Sequence, residues 1–346
     1  MDNIFISIDS ARVAELLLLA FLGFSLSMVI TPLYTTLAYR GKWWKKQRTD
    51  ATTGEKAKIF TKLHESKHKR LIPTMAGLIF LVSVTLITLT LNLSREQTWL
   101  PLAAFVGAGL VGLLDDVINL RGTGKGVAGL PAKAKLLFIS LISLVGGLFF
   151  YYKLDIDSVN IPGFGDFGIG WLIIPFFVLV VVSTANAVNI TDGLDGLAGG
   201  LATSAFGVYA IIAFMQGRYG IAGFCLTLVG ALLSYTWFNV YPARFFMGDV
   251  GSFSLGTALG VVAMLTNTVL LLPIIGAVFV MEAGSSLIQI LSKKYRGKKV
   301  FKVAPIHHHF EASGWEETKV TMRFWILGQV CAFVGLMIFI IGNYHV

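Results

Sequence analysis

The sequence predicts an all-α polytopic membrane protein of about ten transmembrane helices, and three observations carry that expectation. Of 346 residues, 55% are hydrophobic and only 14% charged, with a mean hydropathy of +0.75, far from the balance of a soluble domain. Apolar stretches long enough to cross a hydrocarbon core as helices recur along the whole chain. The basic residues gather in alternate gaps between those stretches.

Taken in order, the first stretch is 13–39. Asp2, Asp9 and Glu15 lie ahead of it or within it, without a basic leader or a small-residue cleavage site, so it reads as a retained span rather than a signal peptide. Stretches 72–93, 98–114 and 136–152 follow. Next, "DIDSVNIPGFGDFGIGW" (155–171) alternates loosely around a Pro-Gly pair, which predicts a short β-hairpin on the outer, periplasmic surface. Spans are then expected at 170–188, 197–217, 219–241, 252–266, 269–291 and 324–343. The stretch 252–291 is one apolar run broken only by "TNT" at 266–268 and by Glu282. Cys225 and Cys331 stand singly inside spans with no CxxC spacing, so no disulfide framework or zinc-thiolate site is implied. No fixed-period repeat and no Gly-, Ser- or Pro-rich linker divides the chain, which leaves one domain over 1–346.

With ten spans, the 28 Lys and Arg sort into two sets. Eleven lie between residues 40 and 70, four between 121 and 135, one at Arg244 and eight between 293 and 323. Only Arg12, Arg95, Lys153 and Arg218 remain for the other face. The positive-inside rule therefore puts the odd-numbered loops in the cytoplasm and both termini outside. Topology, with "KWWKK" as an interfacial anchor, accounts for the net charge of +9 without nucleic acid as a partner.

Ionisable groups are costly near a bilayer, so their placement carries information. Asp115 and Asp116 end the third span, Asn186, Asn189, Asp192 and Asp195 the fifth, Asn239 and Asp249 follow the seventh, and three histidines follow the ninth. All fall on the cytoplasmic side, which is what a composite active site requires. In "NAVNITDGLDGLAGG" the polar residues recur every three positions and share one face wherever the segment is helical, while Gly193 and Gly196 allow close backbone approach to a ligand. Asp115 and Asp116 diverge by about 100° on a helix, so they are not equivalent. "GTGKG" (122–126) is not a Walker A loop: Asn119 stands where glycine is needed, and Gly126 where Ser or Thr is. Asp249 in "FMGDVGS" suits either a hard cation carrying phosphate oxygens or a helix N-cap. The run His307, His308 and His309 in "VAPIHHHFE" cannot form the one-faced pair of a helical zinc site, and imidazoles are poor ligands for magnesium. Phosphate or sugar hydroxyls are their better partners.

Together "DD" (115–116), "NITDGLDGLA" (189–198), "WFNVYPARFFMGDVGS" (237–252) and "FKVAPIHHHFEASGWEE" (301–317) resemble the bacterial phospho-N-acetylmuramoyl-pentapeptide transferase family, within the polyprenyl-phosphate N-acetylhexosamine-1-phosphate transferase superfamily. The resemblance runs from about residue 60 to the C-terminus. It implies a single integral membrane transferase domain in the bacterial inner (cytoplasmic) membrane, with a cytoplasmic active site. The implied reaction transfers phospho-MurNAc-pentapeptide from UDP-MurNAc-pentapeptide to undecaprenyl phosphate, giving lipid I and UMP with Mg²⁺. Asp249 is the implied magnesium ligand and Asp115 the base toward the lipid phosphate, with Asp116 beside it. Asn189, Asp192, Asp195, Asn239 and Phe246 would form the nucleotide pocket, with Phe246 on the uracil. Lys135 would lie near the phosphates, His307 and His308 at the reacting substrate, and Thr74, Gln289 and His309 among the substrate-binding residues. The lipid bilayer and a second copy of the chain complete the expected partners. "IPTMAG" (72–77) stands where the family has TPTMGG, and Asn119 replaces the lysine of DDxxK, as on an unusual branch.

The chemistry agrees. Two polyanions must meet, so cationic clamps and a metal matter more than covalent machinery. Direct attack by the lipid phosphate, with Asp115 taking its residual proton, stands beside a two-step route through an aspartyl intermediate. A transporter is disfavoured because the acids sit at one face and no inverted repeat is visible. The histidine run argues against a sister transferase acting on UDP-GlcNAc.

Overall fold

The computed structural model describes residues 10–44, 71–122 and 129–344. The lysines and arginines of 45–70 and most of "GTGKG" lie outside the described residues. Twelve helices and one hairpin follow in chain order: α1 Ser10–Arg40, α2 Gly77–Leu91, α3 Trp99–Arg121, α4 Ala132–Tyr152, β1 Ser158–Ile161, β2 Gly165–Gly168, α5 Ile173–Thr191, α6 Leu197–Met215, α7 Tyr219–Asn239, α8 Gly248–Leu265, α9 Leu272–Ile275, α10 Ala277–Arg296, α11 Ile306–Glu311 and α12 Glu317–Tyr344. Among the described residues eight helices are long and apolar enough to cross a membrane. The α9–α10 pair, bent by 82° at Gly276, makes a ninth when its two pieces are counted as one span, and α2 is a shorter apolar helix of 15 residues. The ten expected stretches are thus all helical, and the expected hairpin is present, antiparallel with Asn160 opposite Asp166.

Several ends differ from expectation for local reasons. The second helix starts at Gly77 rather than 72, because 73–77 pairs laterally: Phe246 N donates to Pro73 O, Ala76 N to Phe246 O and Gly77 N to Met247 O. The third continues to Arg121, so Asp115 and Asp116 lie inside it rather than past its end. α5 stops at Thr191 and a turn follows, so Asp192 and Asp195 do not extend a helical stripe from Asn186 and Asn189.

α8 is the axis of the bundle. Every one of its 18 residues is buried, against α3, α5, α2 and α6. A helix buried on every face, with Asp249, Ser252, Ser254 and Thr257 among its residues, is enclosed by other helices rather than by lipid. Small residues bring the shell close: a Cβ on Gly256 would stand 2.6 Å from Ala185 Cα, and one on Gly112 would overlap the Asp249 backbone. α1 and α12 lie outside and show lipid-facing side chains such as Phe21, Val29, Phe333 and Ile341.

Candidate active site

The close α3–α8 crossing decides which polar groups meet. Asp115 and Asp116 reach inward from α3, and Asp249, in the first turn of α8, faces them. One oxygen from each of these three buried carboxylates lies within 4.8 Å of the others, a set of hard donors that could hold a metal ion. Lys135, in the first turn of α4, enters from the side. Its Nζ donates to Asp115 Oδ2 at 2.8 Å and to Asp249 Oδ2 at 2.6 Å. The Leu130 amide donates to Asp115 Oδ1, which Gly129 permits: at φ +91°, a Cβ there would stand 2.6 Å from that oxygen. Val250 N donates to Asp116 Oδ2 at 3.1 Å, tying the second aspartate to the start of α8. The donor set is all oxygen, and the Asn119 amide and Thr74 hydroxyl are also sealed from solvent with no hydrogen-bond partner among the described residues. Burying such groups unpaired is costly, so the region suits a hydrated hard cation or a phosphate that would satisfy them.

The second group surrounds the turn after α5. Asn189 Nδ2 donates to Ser252 Oγ at 2.8 Å, linking α5 to α8. Asp192, half-buried, ends α5. Asp195 Oδ2 accepts from Ala243 N at 3.0 Å, while its own amide donates to Glu317 Oε1. Asn239 accepts from Gly196 N and donates to Phe245 O. Asp195 and Asn239 therefore staple the 192–196 turn to the 240–247 loop, and Phe246, half-buried, is carried on that loop.

The histidines form α11. His307 is fully buried, with Nδ1 2.8 Å from Glu282 Oε2 of α10, and Glu282 is fully buried too. Its Nε2 edge faces Gly193, where a Cβ would collide with the ring. This contact carries α11 to the 192–196 turn. His308 Nδ1 lies 2.6 Å from Glu311 Oε2. Burial, and then the neighbouring His307, hold the His308 imidazole down to about 4 despite Glu311, so it is neutral at pH 7 and Nδ1–H is the donor. His309 is half-exposed and its Nδ1 accepts from Lys302 N. Gln289 gives both amide ends to backbone, accepting from Val300 N and Phe301 N and donating to Phe301 O.

The structure thus brings Asp115, Asp116, Asp249 and Lys135 into one cluster, and His307 against the turn of Asp192 and Asp195. Gln289, on α10, holds the 300–301 backbone, and His309 lies at the end of the same 300–309 segment. Glu282, Glu311, Glu317 and Ser252 complete the site without a separate motif. The i,i+3 spacing of His308 and Glu311 is the one local signal that ties any of them to an expected site residue.

Comparison with known proteins extends the geometry. Residues 98–267 match the family described as glycosyl transferase family 4. The chain is 39% identical over 342 residues, 95% of this chain and 90% of the relative, to the phospho-N-acetylmuramoyl-pentapeptide-transferase of Chloroflexus aurantiacus. It is equally 39% identical to the proteins of the same name from a Geobacillus species, over 92% of this chain and 95% of the relative, and from Anoxybacillus flavithermus, over 93% and 97%.

Proposed function

The chain belongs to the phospho-N-acetylmuramoyl-pentapeptide-transferase family, and from that premise we propose that the Asp115–Lys135–Asp249 cluster is its phosphoryl-transfer centre. The reaction moves phospho-MurNAc-pentapeptide from UDP-MurNAc-pentapeptide to undecaprenyl phosphate, forming lipid I and UMP. The observation that carries this reading is the position of Lys135 Nζ, held between two buried carboxylates where two polyanionic substrates must meet.

In this reading the cluster faces the cytoplasm of a bacterial inner membrane, as the basic loops require. A phosphate oxygen of the lipid attacks the sugar-side phosphorus of the donor, the bond to UMP breaks, and UMP leaves. The residual proton of the lipid phosphate passes to Asp115. Asp249, with Asp115 and Asp116, would hold Mg²⁺, which when bound supplies neutralising charge to the pyrophosphate. Lys135 orients the phosphates. Phe246 offers a ring for the uracil, and Asn189 and Asp192 border the nucleotide. Asp195 and Asn239 hold that pocket's walls, and His307 and His308 the donor side.

The test is UMP release by purified protein in detergent, given both substrates and Mg²⁺, beside Asp249→Ala. Acceptor-dependent release that EDTA abolishes and the variant lacks is expected. Release from UDP-GlcNAc instead, or none from a folded protein, would sink the reading. A labelled enzyme adduct trapped without acceptor would replace direct attack by the two-step route.

A further inference from the structure

At the opposite end of the bundle from the acidic cluster, a cavity of about 320 Å³ opens between the hairpin, the α6–α7 turn, the α8–α9 turn and α12. Asp249 and Leu265, at the two ends of α8, are separated by roughly 24 Å of helix rise, so this cavity takes no part in the chemistry above.

Its lining carries one fixed cation and one fixed anion that are not paired with each other. Arg218 is one of the four basic residues on this face, and its Nη1 donates to Leu265 O at 2.6 Å. That contact caps α8 but uses one of five donors, and no carboxylate of the described residues lies within ion-pair distance of the guanidinium. Across the cavity, Asp166 Oδ1 accepts from Asn160 Nδ2 at 2.7 Å and Asn267 Nδ2 at 3.1 Å, which fixes the carboxylate without a cation. Gln216, also on the lining, is fixed by its own Nε2, which donates to Thr266 O at 2.8 Å. A half-buried guanidinium facing an exposed, fixed carboxylate across one cavity favours a ligand of complementary charge pattern. The complement is a zwitterion: an anionic group for Arg218, and an N–H-bearing cation for Asp166.

The surroundings select an amphiphile. Phe339 forms an apolar side of the cavity, and lipid-facing Leu270 and Ile341 lie on the segments that border it. Exposed Trp171 and Phe164 mark this rim as the membrane–water interface. We propose that the cavity holds the headgroup of a zwitterionic phospholipid with a primary ammonium, its phosphate on Arg218 and its ammonium on Asp166.

The full-length protein in detergent would be titrated with phosphatidylethanolamine, phosphatidylglycerol and free glycerophosphoethanolamine, with bound ligand counted by native mass spectrometry and thermal midpoints recorded. One phosphatidylethanolamine per chain is expected, held about tenfold more tightly than phosphatidylglycerol, the ordinary worth of a charge-assisted hydrogen bond. Asp166→Asn should remove that preference, and Arg218→Met should weaken both lipids. Because Arg218 also caps α8, Asp166→Asn is the deciding variant should Arg218→Met unfold. Equal retention of the two lipids, or a preference that survives Asp166→Asn, would overturn the proposal. Equal affinity for the soluble headgroup would assign the cavity to a free zwitterion and overturn the lipid. None of these readouts depends on transferase activity.

Discussion

Gly248→Ala tests how the acidic cluster is held. Gly248 has φ +75°, and a Cβ built there stands 2.5 Å from Asp116 Oδ2 and 2.9 Å from both Met75 N and Thr74 Oγ1. The left-handed conformation costs alanine roughly 1–2 kcal/mol. Crowding adds to this, because the neighbouring backbone is pinned: Ala76 N and Gly77 N donate to Phe246 O and Met247 O. Since real Cβ contacts essentially stop at 3.0 Å, the Asp116 carboxylate must retreat by about 0.5 Å, lengthening its 3.1 Å bond from Val250 N beside Asp249. A misplacement of about 1 Å costs on the order of 100-fold in rate, so half of it should cost about tenfold or somewhat more. The expected outcome is turnover lowered by about 10–100-fold and a thermal midpoint lowered by the equivalent of about 2 kcal/mol. Acceptor-dependent UMP release and thermal unfolding in detergent would measure both. Gly207→Ala is the control, since a Cβ there meets nothing within 4 Å; it should keep full activity and gain roughly 0.5–1 kcal/mol. Wild-type turnover and midpoint in Gly248→Ala would refute the reasoning.

Lys135→Met leaves Asp115 and Asp249 facing each other without their shared ammonium, and kcat/KM should fall by about 100-fold or more, the kinetic equivalent of roughly 3 kcal/mol; a loss below threefold would contradict it. Glu282→Ala strands the buried His307 imidazole and should cost roughly 1–3 kcal/mol in chemical denaturation, whereas Glu282→Gln, which retains an acceptor, should cost clearly less. The His308 imidazole is held down to about 4 in the folded protein and returns to about 6.5 on unfolding, so the unfolded chain binds more protons between those values. Its contribution is complete above pH 6.5 and declines as pH falls toward 4, by about 3 kcal/mol at most; His308→Gln should flatten the thermal midpoint between pH 7 and 4.5 relative to wild type.

Much of the fold was legible because the membrane imposes one rule on every span: backbone polar groups must be satisfied within the helix. All ten apolar stretches and the hairpin could be read from that rule and from Pro-Gly punctuation. Helix ends were less legible, since they depend on partners distant in sequence. Nothing local in "LIPTMAG" shows that 73–77 will pair with 246–247, or that α3 will run past "DD" to Arg121. The site divides in the same way. Asp115 and Asp249 stood out because charge beside an apolar run is costly, whereas Lys135 came only from the resemblance to the family. Glu282 read as a mere interruption of an apolar stretch, since its partner His307 lies 25 residues away and becomes a neighbour only after α10 bends.

The charge of the cluster constrains what can bind there. Three carboxylates surround one ammonium, so with all three ionised the group carries an excess of two negative charges in a water-poor crossing of α3 and α8. A pyrophosphate and a lipid phosphate would be repelled by such a group, since like charges in a medium of low effective dielectric cost several kcal/mol. One divalent cation removes the excess, and the oxygen-only donor set is the kind that magnesium accepts. Lys135 alone cannot do so, because its single charge is already shared by two of the three acids. The rigid parts of the site follow from this demand. Asp195, Asn239 and Gln289 are committed to backbone amides and carbonyls, which would hold the walls fixed while the proposed cation and substrates bound at the carboxylates.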